Sequence, residues 1–469
     1  MTFNSVVFLF LFLPVVLLGN VLMAGKLQMR KYYLTLASFL FYGWCNTRIL
    51  LFLVVFGLVH YWLGRLLDCC AERQEAKKLI LLPGIALDIL CLFFTKYLNY
   101  AISLGNSLLG MRISLVSNLL VPLGISFLCF SMIAYQVDVY QKKTPAFRSM
   151  VDFFLYLSFF PKVSQGPIAR HDTFAEDLLG KRVSLDTFTD GLRRFIAGLG
   201  KKVLLADVLG SSVDLIYGNL ATGITAGTAW LGILCYTLQI YYDFSGYTDM
   251  AIGIGKMLGF RLPENFQKPY LSKSVSEFWR RWHITLGMWF REYVYIPMGG
   301  NRRGFWRTLV NLSAVWLLTG IWHGASTHFV VWGVYFGCFV ILEKCISPKA
   351  WYQKIPVFVR WLATFLIVMM GWVIFRSGSM SEAMLYFKAL MVGSGQGFFK
   401  LGYYFDLSVY LAIGVGIVLT LPQPRVQVNS KALSGTLLAA RDVGLLLVLL
   451  TSIVFMMNST YQSFIYFQF

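Results

Sequence analysis

Two histidines in this chain are candidates for a catalytic site, and one of them, His323, stands where an imidazole could take a proton from a hydroxyl. His323 lies in the run WLLTGIWHGAS, residues 316–326. The fourteen positions 309–322 before it are apolar and helical in pattern. At 1.5 Å per residue they rise roughly 21 Å, against a hydrocarbon core about 30 Å thick. A helix that starts near one headgroup layer after Arg307 therefore carries His323 well inside a membrane. Gly324, Ala325, Ser326 and Thr327 follow at once, small residues that permit a bend and the close approach of another group. Neutral imidazole, with an ordinary pKa of about 6.5, suits general-base work at neutral pH. His323 is thus the first catalytic candidate, and a histidine so placed needs a cavity and a partner.

His283 lies in SEFWRRWHITLGMWFREYVY. Ser274 and Glu277 fit the S-x-x-E pattern that opens a helix. Beyond them Val275, Phe278, Trp279, Trp282, Leu286, Trp289, Phe290 and Tyr293 recur on one face, while Glu277, Arg280, Arg281, Arg291 and Glu292 fall on the other. This spacing predicts one amphipathic helix over 275–293 lying along a membrane surface, with His283 at the margin of its apolar face. There it either orients its neighbours or serves in the site. His328 lies five positions past His323, off the i, i+4 face, and neither HExxH nor clustered carboxylates accompany it, so no metal is expected. His60 and His171 have no comparable setting.

The elements that must position these groups are set by composition. The 469 residues are 57% hydrophobic, 17% aromatic and only 13% charged. That excludes a soluble enzyme, a disordered chain and a disulfide-stapled secreted module, and leaves an all-α polytopic membrane protein. Lys and Arg number 41 against 22 Asp and Glu, a net charge of +19. Because the charges lie between long apolar runs, they imply cytoplasmic loops and contact with lipid headgroups, not nucleic acid. The eight cysteines, Cys45 among them, form no CxxC and read as buried thiols.

Candidate spans fall at 3–24, 32–44, 49–67, 79–98, 119–140, 228–244, 309–322, 328–345, 357–375, 403–421 and 442–458. No Lys or Arg precedes the first, and Lys26 follows it, the reverse of a cleavable signal. With the amino terminus outside, the inner loops up to residue 150 carry ten cations (Lys26, Arg30, Lys31, Arg65, Arg73, Lys77, Lys78, Lys142, Lys143, Arg148) and the outer loops three (Arg48, Lys96, Arg112). The positive-inside bias supports that orientation. No linker or soluble-sized insertion appears, so a single membrane domain over 1–469 is expected, with amino-terminal helices to 150, a core at 151–345 and carboxy-terminal helices from 346.

The core differs from its flanks. Short apolar pieces alternate with Gly, Pro and charge in FFPKVSQGPIAR, YYDFSGYTDMAIGIG and PENFQKPYL. Irregular backbone at membrane depth is tolerated only where protein covers it or it lines a wet cavity. A passage is therefore expected, with Trp279, Trp282, Arg280, Arg281, Asp243, Ser245, Trp322 and Asn301 as its candidate lining. Asp243 and Asp249 could also bond helix ends in its wall. Nine Lys or Arg and three Glu lie between Arg261 and Arg307; they either anchor the cytoplasmic face or meet the phosphates of an anionic donor.

With these pieces, and with SEFWRRWHITLGMWFREYVYIPMGGNR, PLGISFLCFSMIAYQVDVY, WVIFRS and the terminal FIYFQF, the chain resembles the membrane-bound O-acyltransferase family over essentially its whole length. It is most similar to the bacterial branch of alginate, peptidoglycan and cellulose O-acetylation subunits. It is less similar to the D-alanyl transfer subunit for teichoic acids. The resemblance implies about eleven transmembrane helices, with re-entrant and amphipathic pieces, around a central tunnel in the bacterial inner membrane. It implies that His323 matches the family's active-site histidine and His283 a second position held by Asn, Asp or His. It implies acetyl-CoA as donor, no bound cofactor, and a polysaccharide as final acceptor. It also implies an extracytoplasmic SGNH-type acetyltransferase or a small carrier as partner. A transporter or flippase is the rival from another class, since broken helices and the intramembrane Asp88, Asp138 and Asp243 are transporter features too. No inverted repeat between halves supports it. A scaffold that only anchors a complex is a third reading, in which His323 would be dispensable.

Overall fold

The computed structural model describes residues 1–44, 46–70, 74–117, 119, 121–180, 183–395, 397, 399–422 and 431–458, with 431–434 as backbone alone. Cys45, Arg73 and the terminal FIYFQF lie outside the described residues. Among those described, the only β-pairing is a single antiparallel bridge between Phe266 and Trp282; the rest of the regular structure is helical. Five helices are long and apolar enough to cross a membrane: Thr47–Cys69, Gln74–Leu109, Thr327–Ile346, Val357–Arg376 and Gly435–Asn458. Phe8–Leu22, Ile125–Tyr140 and Leu407–Thr420 are shorter apolar helices. The expected spans at 228–244 and 309–322 fall in the helices Ala226–Met257 and Phe305–His323.

The chain forms two compact units. The first comprises Met1–Phe195 with Thr248–Glu264. Phe3, Phe8, Phe41 and Phe160 form its aromatic core, with Phe3 and Phe8 ring centroids 4.9 Å apart. His60 Nδ1 meets the Phe56 carbonyl at 2.8 Å and Nε2 lies 3.0 Å from Asp88 Oδ1, both side chains fully buried. His60 thus has a more enclosed polar setting than its sequence context suggests. Arg30 and Lys31, counted from sequence among loop charges, lie inside the Leu27–Gly43 helix and are buried. Arg30 donates to Asn20 and to the Leu258 carbonyl, and Lys31 sits 2.9 Å from Asp152. Internal acceptors offset their desolvation. Asp249, within the helix Ala226–Met257, pairs with Arg194 at 2.8 Å.

The second unit comprises Ile196–Tyr247 and the chain from Asn265 onward. In it the helix Phe305–His323 packs closely on Thr327–Ile346, and glycine sets their distance. A Cβ on Gly333 would lie 2.5 Å from the Trp316 carbonyl oxygen and 2.9 Å from Gly320 Cα. Small residues of this kind let membrane helices approach backbone to backbone. The short turn through Gly324 to Ser326 then places His323 at the end of that seam. Gly333→Ala is expected to force the pair apart at a cost of about 1–3 kcal/mol, the usual range for overpacking. A fall of several degrees in the melting midpoint of the purified protein checks this, and an unchanged midpoint would contradict the seam.

The cysteines need a correction. Among the seven described, all free, Cys129 and Cys235 are buried, whereas Cys69 and Cys338 are exposed. An apolar stretch in a membrane helix has a side facing lipid as well as one facing protein, so hydropathy alone does not imply packing.

Candidate active site

The amphipathic stretch is not one helix. It runs as Val275–Arg281 and Ile284–Phe290, followed by a π-turn at Arg291–Tyr295, and it breaks at Trp282 and His283. Ser274 caps the first piece by accepting from the Glu277 N–H at 3.0 Å, while the Glu277 carboxylate reaches back to the Lys273 N–H at 2.9 Å. The break is held from outside the stretch. Gln267 N–H donates to the Arg281 carbonyl and Ile284 N–H to the Asn265 carbonyl, both at 3.0 Å, so residues 265–267 run antiparallel to 281–284. His283 consequently has φ 45° and ψ 52°, a left-handed conformation that costs a non-glycine residue about a kcal/mol or more.

That turn aims the His283 ring inward, where it is 2% exposed. Its Nδ1 lies 3.2 Å from Asn265 Oδ1, which also accepts from the Thr285 N–H at 3.1 Å and the Thr285 hydroxyl at 3.0 Å. A backbone N–H can only donate, so the atom facing it is the amide oxygen, and His283 Nδ1 must carry a proton. In the neutral ring Nε2 is then the basic nitrogen. Burial pushes this imidazole, which lies outside the spanning helices, down to about 3, so it stays neutral across the working range. Phe244 packs edge-on at 4.7 Å.

His323 ends its helix at 3% exposure, enclosed by aromatic rings. Trp322 and Trp332 each lie 4.7 Å away by centroid and Phe375 5.1 Å. Trp322 is also 6.1 Å from His283, so one indole touches both histidines. Trp279 packs on Trp316 and Trp332 at 4.9 and 5.4 Å, and Trp282 on Trp372 at 5.0 Å. Thus His283, Trp322 and His323 come together, and Trp279 joins them through Trp332. The indole N–H groups of Trp279 and Trp332 are buried without an acceptor among the described residues.

The other candidates make different contacts. Asp243 sits inside the Ala226–Met257 helix, its carboxylate 2.7 Å from Lys202 Nζ, and Ser245 is buried nearby in sequence. Arg281 is tied to Glu277 at 2.6 Å. Arg280 and Asn301 line a cavity of about 630 Å³. Its other cations are Lys273, Lys344 and Arg360. Its carboxylates are already engaged: Glu277 by Arg281, and Glu343 by the Val275 and Ser276 N–H groups at 2.5 and 2.8 Å. Among the described residues no group of three potential metal ligands stands together.

Sequence reasoning missed Asn265, Trp332 and Phe375 as site residues. Asn265 lay in the quoted PENFQKPYL, and an asparagine in an irregular apolar segment was a usable signal. Trp332 lies on the apolar helix after the bend, where nothing local separates it from core.

Residues 147–387 match the membrane-bound O-acyltransferase family, and the chain belongs to it. It is a multi-pass membrane protein and an O-acyltransferase. The chain is 37% identical to the probable alginate O-acetylase AlgI of Pseudomonas putida over the full length of both. It is 39% identical to the probable alginate O-acetylase AlgI of Pseudomonas aeruginosa, covering 83% of this chain and 75% of that one. It is 32% identical to the peptidoglycan O-acetyltransferase of Helicobacter pylori, covering 83% and 79%.

Proposed function

We propose that this protein moves an acetyl group from cytoplasmic acetyl-CoA, through the bacterial inner membrane, to a hydroxyl acceptor that serves O-acetylation of an exported or cell-surface polysaccharide. The observation that carries the reading is the buried pair His283 and His323, bridged by one tryptophan, in a chain similar to polysaccharide O-acetylases. About eleven passes surround a tunnel in this reading, with the amino terminus extracytoplasmic. The cation bias of the early segments, eight to three once the helix-embedded Arg30 and Lys31 are set aside, supports that orientation.

His323 acts as general base on the acceptor hydroxyl. As the oxygen attacks the thioester carbonyl, its proton passes to the imidazole, and collapse of the tetrahedral intermediate returns that proton to the departing CoA thiolate. The developing oxyanion needs donors fixed in advance, and the unpartnered Trp332 N–H supplies one. His283 Nε2, basic in the tautomer that Asn265 selects, is suited to hold the acceptor hydroxyl by accepting from it. Aromatic walls exclude the water that would hydrolyse the thioester. The immediate acceptor is a side chain of an extracytoplasmic SGNH-type acetyltransferase, or a small carrier, which then delivers the group to the polymer.

The 630 Å³ cavity, with four cations free of ion pairs among the described residues, is the entry for the CoA phosphates. Arg280→Gln is expected to raise KM for acetyl-CoA about tenfold with kcat little changed, the mark of a lost binding contact. Steady-state CoA release by the protein in liposomes, with acceptor present, tests both points. A transporter without transfer chemistry would carry label across the bilayer and release no CoA.

A further inference from the structure

A second cavity, of about 420 Å³, lies in the turns that precede the His323 helix. Its charged lining is Arg291, Arg302 and Arg303, with no Asp or Glu. If spherical it would be about 9 Å across, small enough for one anion to reach all three guanidiniums. Several other guanidiniums are neutralised: Arg194, Arg261, Arg281 and Arg376 each lie 2.5 to 2.8 Å from a carboxylate. Arg291, Arg302 and Arg303 have no such neighbour among the described residues.

The concavity is built into the backbone. Gly299 and Gly300, both in the lining, have φ of 107° and 53°, which side-chain-bearing residues rarely adopt. The Gly300 carbonyl is pinned by Asn311 Nδ2 at 3.0 Å, from inside the following helix. Tyr295 donates its hydroxyl to Asn301 Oδ1, which leaves the Asn301 amide NH₂ as a further donor in the wall. Cationic, forked donors in a cavity of this size match the tetrahedral oxygens of a phosphate. Beside it Phe305 and Trp306 are 49% and 79% exposed, and Ile296 in the lining is 51% exposed. Arginine flanked by bare aromatic and aliphatic surface is the composition of a headgroup layer.

We infer that the arginine cavity is a phosphate-binding site, which adjoins the larger cavity beside Arg280 where Tyr295 and Asn301 line both. The phosphate comes either from an anionic lipid headgroup or from a free ligand such as CoA. The test uses the full chain in phosphatidylcholine nanodiscs, without turnover, so it is independent of the acetyl-transfer reading. One arm adds phosphatidylglycerol and reads retained lipid by native mass spectrometry; the other titrates desulfo-CoA. The triple variant Arg291→Gln, Arg302→Gln, Arg303→Gln is expected to lose about tenfold or more in affinity for whichever probe occupies the site. Arg48→Gln controls for charge alone, and the corresponding triple Lys variant, which keeps the charges, is expected to retain part of the binding. Selective loss of phosphatidylglycerol supports the site with lipid as its source; selective loss of desulfo-CoA supports it with the free ligand. A triple-Gln variant that binds both probes as the unaltered chain does would overturn the inference.

Discussion

Replacing His323 by Ala is expected to lower acyl transfer about a hundred- to ten-thousandfold, the span that a positioned general base contributes. The rings described around it, Trp322, Trp332 and Phe375, offer no base of their own. Both kcat and kcat/KM should fall together, because the interaction is made in the transition state and not in donor binding. The variant should still insert and purify, since the helix packs through Gly320 and Gly333 one turn and more away from the imidazole. The measurement is acetyl transfer in liposomes alongside size-exclusion behaviour of the same preparation. Full activity in a well-folded His323→Ala protein would remove the base assignment and favour a scaffold.

The second large effect concerns stability. Lys202 is fully buried, with Nζ 2.6 Å from Asp207 and 2.7 Å from Asp243. Lys202→Met would leave two carboxylates facing each other with no cation between them. Removing one member of a buried charge set commonly costs about 3–5 kcal/mol, a large share of any domain's stability. The protein should be extracted poorly or melt far below the unaltered chain. Adding Asp207→Asn and Asp243→Asn to Lys202→Met should recover much of the loss, because no unpaired charge then remains. A single variant that melts normally would show that water reaches this group. Asp243, a tunnel candidate by sequence, has its carboxylate engaged by this lysine.

The spans were legible because apolar residues with helical spacing must be buried in lipid or protein whatever the rest of the chain does. The helices Thr47–Cys69, Thr327–Ile346 and Val357–Arg376 fall within a few residues of their expected positions. The continuous helix expected over 275–293 failed for an equally physical reason. Its periodicity is unbroken, but residues 265–267 supply partners for the backbone at 281–284 and make a break affordable at His283. A pattern within one segment carries no record of what a distant segment offers it. Cysteine burial failed likewise, because hydropathy does not distinguish the lipid side of a helix from the protein side.

By itself the sequence determined the membrane class and placed His323 at the end of an apolar helical run, both matters of composition and periodicity. Only the tertiary structure decided that Trp322 touches both histidines, that Asn265 selects the His283 tautomer, and that Asp243 belongs to a lysine. These depend on side chains meeting across many residues of chain, where the outcome is set by packing and hydrogen-bond geometry rather than by local periodicity.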